Sequence, residues 1–143
     1  MSLIHGSRGL IYFVHQFKPK FIEAVLLEDL EMLDAVAALN RQITRLAPVL
    51  NSPTIHGTAT VTPEDPAVPI ALMTKRHEGA TYLFAVGMRE GATTATFAVQ
   101  GIEGDQTVEV IGEKRTLAAK AGRFTDRFAP WDVHLYRVSA SAR

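Results

Sequence analysis

The sequence predicts a mainly β protein, an antiparallel β-sandwich of about eight strands preceded by one strand and one long helix. Three observations carry this. From Thr54 onward, short alternating apolar segments recur at roughly 8–12-residue spacing with glycine turns between them, the signature of a sandwich or barrel. Before them, apolar residues spaced by three and four mark a single amphipathic helix. At the front, Gly9-Leu10-Ile11-Tyr12-Phe13-Val14-His15-Gln16-Phe17 is a nearly unbroken apolar run, which reads as a strand covered on both faces.

That first strand is followed by Lys18-Pro19-Lys20 and then by helical sequence, the order of a βα unit, which implies a parallel neighbour. The rest of the chain offers no second strand of this type. Asp29 is placed to cap a helix running to about Ala47, with Leu30, Leu33, Val36, Ala37, Ile43 and Leu46 on its apolar stripe and Asn40 as one polar interruption. Acidic residues lie early and Arg41 and Arg45 late, complementing the helix dipole. Pro48 is expected to stop the helix. Helical periodicity ends at Ser52-Pro53, which divides the chain into a strand–helix segment, 1–52, and a sandwich domain, 53–143.

The predicted strands of the second part are 57–62, 68–77, 80–88, 92–100, 107–111, 115–119, 122–128 and 131–139. Their turns fall at Glu78-Gly79, Arg89-Glu90-Gly91, Glu103-Gly104-Asp105 and Gly112-Glu113-Lys114. Tyr82, Phe84, Phe97, Phe124 and Phe128 stand at alternating positions that suit a sandwich core.

Composition excludes several classes. Fifteen Lys and Arg balance fifteen Asp and Glu, so no basic field draws nucleic acid or anionic lipid, and neither is an expected partner. Without cysteine there is no disulfide scaffold and no thiolate chemistry. The longest apolar run is far short of a membrane span. The five histidines, His5, His15, His56, His77 and His134, lack ligand spacing, so no metal site is expected. No Walker loop, dinucleotide fingerprint or nucleophile elbow occurs, and no cofactor is expected.

Three residues stand out as ligand-binding candidates. His15 and Gln16 lie near the C-terminal end of the first strand, where ligands gather in parallel α/β architectures. Trp131, between Pro130 and Asp132 at a turn, is the candidate for an exposed aromatic platform. The carboxylates Glu23, Glu28, Asp29, Glu31 and Asp34 are explained by the helix start, and no residue is assigned a catalytic role. His15 as the base of a small hydrolase ranks last, because no nucleophile or orienting acid accompanies it at recognisable spacing.

The run 8–15, the helix ending Leu46-Ala47-Pro48-Val49-Leu50-Asn51-Ser52, the strand Tyr82-Leu83-Phe84-Ala85-Val86-Gly87 and the closing Phe128-Ala129-Pro130-Trp131-Asp132-Val133-His134-Leu135-Tyr136 together resemble the end of a glycoside hydrolase. The resemblance is to the last βα unit of a (β/α)8 barrel and the trailing C-terminal β-sandwich. It implies that Gly9–Phe17 is the eighth barrel strand and that His15 or Gln16 lines the cleft mouth. The family's catalytic carboxylates sit on barrel strands absent here, so the chain is expected to be inactive alone, with the sandwich an accessory domain that supports the barrel or subunit contacts. The alternative is a self-contained carbohydrate-binding or protein-interaction module. Either way the uncovered strand predicts a homo-oligomer or contact with a missing barrel, and carbohydrate is the expected small ligand.

Overall fold

Asp29 begins the helix as its spacing predicts: its Oδ1 accepts the Met32 backbone N–H at 2.9 Å, and its carbonyl accepts the first intrahelical bond from Leu33. The computed structural model, which describes residues 1–139, carries this helix, α1, from Leu30 to Leu50. It passes through Pro48 where a stop was expected. Proline has a helical φ but forfeits one hydrogen bond and crowds the carbonyl one turn back, and only two residues of α1 follow it. Ser52 then closes the helix, its N–H and Oγ both donating to the Val49 carbonyl.

The chain divides into two compact units, one formed by Arg8–Pro48 and the other by Met1–Ser7 with the chain from Val49 onward. In the first, Gly9–Phe17 joins no ladder. Its one bridge pairs Gln16 with Ile22, and a short 3-10 turn at Val25–Leu27 leads to α1. Among the described residues every strand pair is antiparallel, so no parallel neighbour accepts the hydrogen bonds of the expected strand. Ile11 is fully exposed, and Phe13 (74%) and Phe17 (66%) are largely so. Asn40, the polar break in the helix stripe, accepts a hydrogen bond from Tyr12 Oη at 2.9 Å.

The second unit holds the eight strands that the alternation predicts: β1 (Ala59–Pro63), β2 (Ile70–His77), β3 (Ala80–Gly87), β4 (Thr93–Val99), β5 (Asp105–Val110), β6 (Arg115–Lys120), β7 (Arg123–Phe128) and β8 (Val133–Ser139). All pair antiparallel in one sheet of order β1-β4-β7-β6-β5-β8-β3-β2. The sheet is folded over on itself. Phe97 of β4 and Tyr136 of β8 stand four places apart in that order, roughly 19 Å if the sheet were flat. Their ring centroids are 5.0 Å apart. The fold line is thinly paired: β6 meets β7 at Lys120–Arg123 alone. This is a sandwich-like layering made from a continuous sheet.

Between the layers Phe97 stacks on Phe124 at 4.8 Å, and both rings meet Tyr136. Ala95, Val99, Val108, Val110, Phe128 and Val138 complete the core, each strand contributing alternate residues. β3 departs from the expected pattern. The enclosed core takes Leu83 and Ala85, while Phe84 and Val86, pointing the other way, are buried as well and Tyr82 is half-buried. A strand buried on both faces carries no in–out alternation to read.

Candidate functional site

The sequence pattern Phe124-Thr125-Asp126-Arg127-Phe128 places a carboxylate on the same face of β7 as two core phenylalanines. Asp126 is buried there and is answered from several sides. Arg115, at the start of β6, donates to it through both terminal nitrogens at 2.9 and 2.7 Å. Tyr136 Oη donates at 3.0 Å, and the Arg127 backbone N–H donates to Oδ1. Arg115 Nε also donates to Glu113 Oε2 at 2.7 Å, and His134 Nδ1 meets Glu113 Oε1 at 2.6 Å. The second ring nitrogen of His134 lies 3.1 Å from the Arg127 carbonyl oxygen.

The electrostatics follow from this packing. Burial on its own would raise the Asp126 pKa, but the hydrogen bonds from Arg115, Tyr136 and the Arg127 amide outweigh it and hold the carboxyl below its ordinary value. Arg115 is held more firmly charged by its bonds to Asp126 and Glu113. Burial, joined by the Asp126 charge, pushes the Tyr136 phenol up. These hydrogen bonds tie Glu113, Arg115, Asp126, His134 and Tyr136 into one network, and the arrangement holds a shape.

That shape supports the β7–β8 turn, Ala129-Pro130-Trp131-Asp132. Phe128, just before the turn, packs edge-on against His134 with centroids 4.6 Å apart. Within the turn the Asp132 carboxylate Oδ2 accepts the Ala129 N–H at 2.7 Å, the Asp132 N–H donates to the Ala129 carbonyl, and the Gly87 N–H donates to the Asp132 carbonyl at 2.9 Å. Gly87 lies close against the turn, where an added Cβ would stand 3.7–3.8 Å from backbone atoms of Ala129 and Asp132. Trp131 sits at the tip with φ +63°, a left-handed conformation that costs a non-glycine residue about 1–2 kcal/mol. Its side chain is 52% exposed.

The three expected ligand-binding residues fall in different units. Trp131 belongs to the sheet unit. His15 and Gln16 belong to the other, where His15 lies within a file of rings, 5.1 Å from Phe13 and 6.0 Å from Phe21. Its Nδ1 is buried without a hydrogen-bond partner among the described residues, while Gln16 is half-buried and its side-chain amide donates to the Lys20 carbonyl at 3.4 Å. Glu113, Arg115 and Asp126 were not among the expected sites. The alternation of β7 was the available signal, because a carboxylate between two inward phenylalanines needs a partner. Nothing local in the sequence says which arginine provides it. Among the described residues no group of three or more His, Asp or Glu side chains is arranged to hold a metal ion. The one long helix is not apolar enough to cross a membrane.

Comparison with known proteins adds a fold relationship. No protein-family model matches the sequence, and no curated protein does. Among solved structures, an Anoxybacillus α-amylase, described as revealing a new glycosyl hydrolase subclass, is similar over 90% of this chain with TM-score 0.55 and 13% identity. The chain spans only 25% of that enzyme's length. Two structures of AmyP, in complexes with maltotriose and maltose, match 59% of this chain at TM-scores of 0.42 and 0.41 with 10% and 13% identity, covering 17% and 18% of those chains. The fold is shared with part of an α-amylase.

Proposed function

We propose that this chain is the non-catalytic C-terminal region of a glycoside hydrolase. In this reading residues 1–52 are the last βα unit of a (β/α)8 barrel, and 53–143 are the sandwich that trails it and supports the barrel or its subunit contacts. The observation that carries it is the bare apolar run. Ile11, Phe13 and Phe17 stand in solvent with no ladder partner, although burying each would be worth about 1.5–3 kcal/mol. A strand built to be covered on both faces fits a sheet whose other strands lie elsewhere in the polypeptide. The fold likeness, over 90% of this chain, supports the C-terminal-region part of this reading.

The test pairs the chain with the reading frame encoded directly upstream of it. The expected frame contains βα units, and the joined polypeptide hydrolyses an aryl glycoside that the chain alone leaves intact. An upstream frame without βα units, or turnover by the purified chain by itself, overturns the proposal. The same exposed run also favours a second reading, self-association of an independent module. Multi-angle light scattering decides it: a dimer or larger species supports association, and a monomer at high concentration removes it.

A further inference from the structure

At the fold line of the sheet backbone pairing runs out, and side chains take its place. In an antiparallel ladder alternate residue pairs exchange hydrogen bonds, and between β4 and β7 the Val99 N–H donates to the Gly122 carbonyl. Counting from that pair, Arg127, opposite Thr94, turns its N–H and carbonyl away from β4. The strand on that side is β6, which pairs with β7 at Lys120–Arg123 alone. Asp126 Oδ1 accepts the Arg127 N–H at 2.9 Å instead, and His134 Nε2 stands 3.1 Å from the Arg127 carbonyl oxygen. A carbonyl on the β7 edge is thus answered by a ring nitrogen from β8.

The other ring nitrogen also faces an acceptor: Nδ1 lies 2.6 Å from Glu113 Oε1, in the β5–β6 turn. A neutral imidazole has one N–H and one lone pair, so it can satisfy one of these oxygens and turns its lone pair on the other. The imidazolium donates to both. His134 is buried, which makes the unmatched arrangement costly. The charges around the ring agree. Glu113 faces it from the β5–β6 turn, Asp132 from the β7–β8 turn with Oδ2 3.8 Å from Nε2, and Arg115 from β6 at 3.4 Å from Nδ1. Arg115 is itself taken up by both oxygens of Asp126 and by Glu113. The carboxylates of Glu113, Asp126 and Asp132 therefore surround a single guanidinium until the ring takes its second proton. From β3 the residue opposite is Ala85. Phe128 and Tyr136 bring rings, and the Tyr136 hydroxyl is turned to Asp126. We propose that His134 is a proton-operated latch. With both ring nitrogens protonated it ties the β5–β6 turn and β8 to the edge of β7, and as pH rises through neutrality the ring gives up one proton and the bond across the fold line is lost.

Histidine is the side chain whose charge ordinarily changes between about pH 5 and 8, so the latch works where few other groups respond. The fold assembles two acceptors for this proton that the unfolded chain does not, so the sheet unit is more stable on the acid side of neutrality and loses that stability as pH rises. The other bonds across the fold line, from Arg115 and Tyr136 to Asp126, join groups whose titration is pushed away from neutrality, and they do not share the response. The latch needs only the folded sheet unit and is independent of the barrel assignment. Thermal unfolding of the full chain at pH 6 and pH 8 tests it. The parent is expected to melt about 4 °C or more lower at pH 8. His134→Gln, which keeps an amide donor but no titrating proton, is expected to melt at the same temperature at both, while His77→Gln on the β2–β3 hairpin keeps the parent's difference. A second readout needs the parent alone and so decides the matter even if His134→Gln does not fold. In the nitrogen-15-labelled chain the His134 ring, assigned through its contact with Phe128, is expected to show two protonated nitrogens at pH 6 and one at pH 8. A parent that melts no lower at pH 8, a folded His134→Gln chain that keeps the parent's difference, or a His134 ring with an unprotonated nitrogen at pH 6 overturns the proposal.

Discussion

Replacing Asp126 with alanine should destabilise the sheet unit by about 3 kcal/mol, and the amount can be built from its partners. Tyr136 is fully buried, so its hydroxyl would be stranded without an acceptor, at about 1–3 kcal/mol. Arg115 would lose both bonds to the carboxylate but keep Glu113, and its side chain is 34% exposed, so water recovers part of that loss and about 1 kcal/mol remains. For a chain of this size the melting temperature should fall by about 10 °C. The assay is thermal unfolding followed by circular dichroism at pH 7. A double-mutant cycle with Arg115→Met isolates the ion pair: on the Asp126→Ala background the second change should cost much less than it does alone. The pH dependence adds an independent check. The folded Asp126 pKa lies below the ordinary 3.8, so its contribution is present above that value and is lost as pH falls through the lower, folded one. Asp126→Asn should therefore show a shallower acid loss of stability than the parent. A cost for Asp126→Ala below about 1 kcal/mol, or strict additivity with Arg115→Met, would refute the structural role assigned to the network.

Two further outcomes follow from local geometry. Gly122→Ala should lower the urea midpoint far more than Gly79→Ala. Both glycines have positive φ, but a Cβ at Gly122 would lie 2.3 Å from the Val99 carbonyl oxygen, whereas nothing lies within 4 Å at Gly79; equal midpoints would contradict the turn geometry. Phe97→Ala, which removes the ring that meets Phe124, Phe128 and Tyr136, should cost about 3–5 kcal/mol, while Phe13→Ser, at a position 74% exposed, should leave the melting temperature within a degree or two and raise solubility. A large loss from Phe13→Ser would mean that the run is packed in the isolated chain.

The strand succession of the β part is legible because its turns carry their own chemistry. Glu78-Gly79 adopts the paired positive φ values of a tight hairpin, and strands such as β4 alternate cleanly between buried and half-buried positions. Asp29 likewise announced the helix start. Three things were not local and so could not be read. The sheet's strand order, which brings β4 and β8 into contact across a fold, depends on long-range pairing. The inward face of β3 was hidden because both of its faces are buried. The partners of Asp126 come from β6 and β8, and alternation indicates only that a buried charge needs an answer. For the opening run the division is different. Its apolar pattern alone predicted a strand covered on both faces. Tertiary structure decided that this chain does not cover it, since a strand's hydrogen bonds and both its faces must be met by neighbours that the run itself cannot provide.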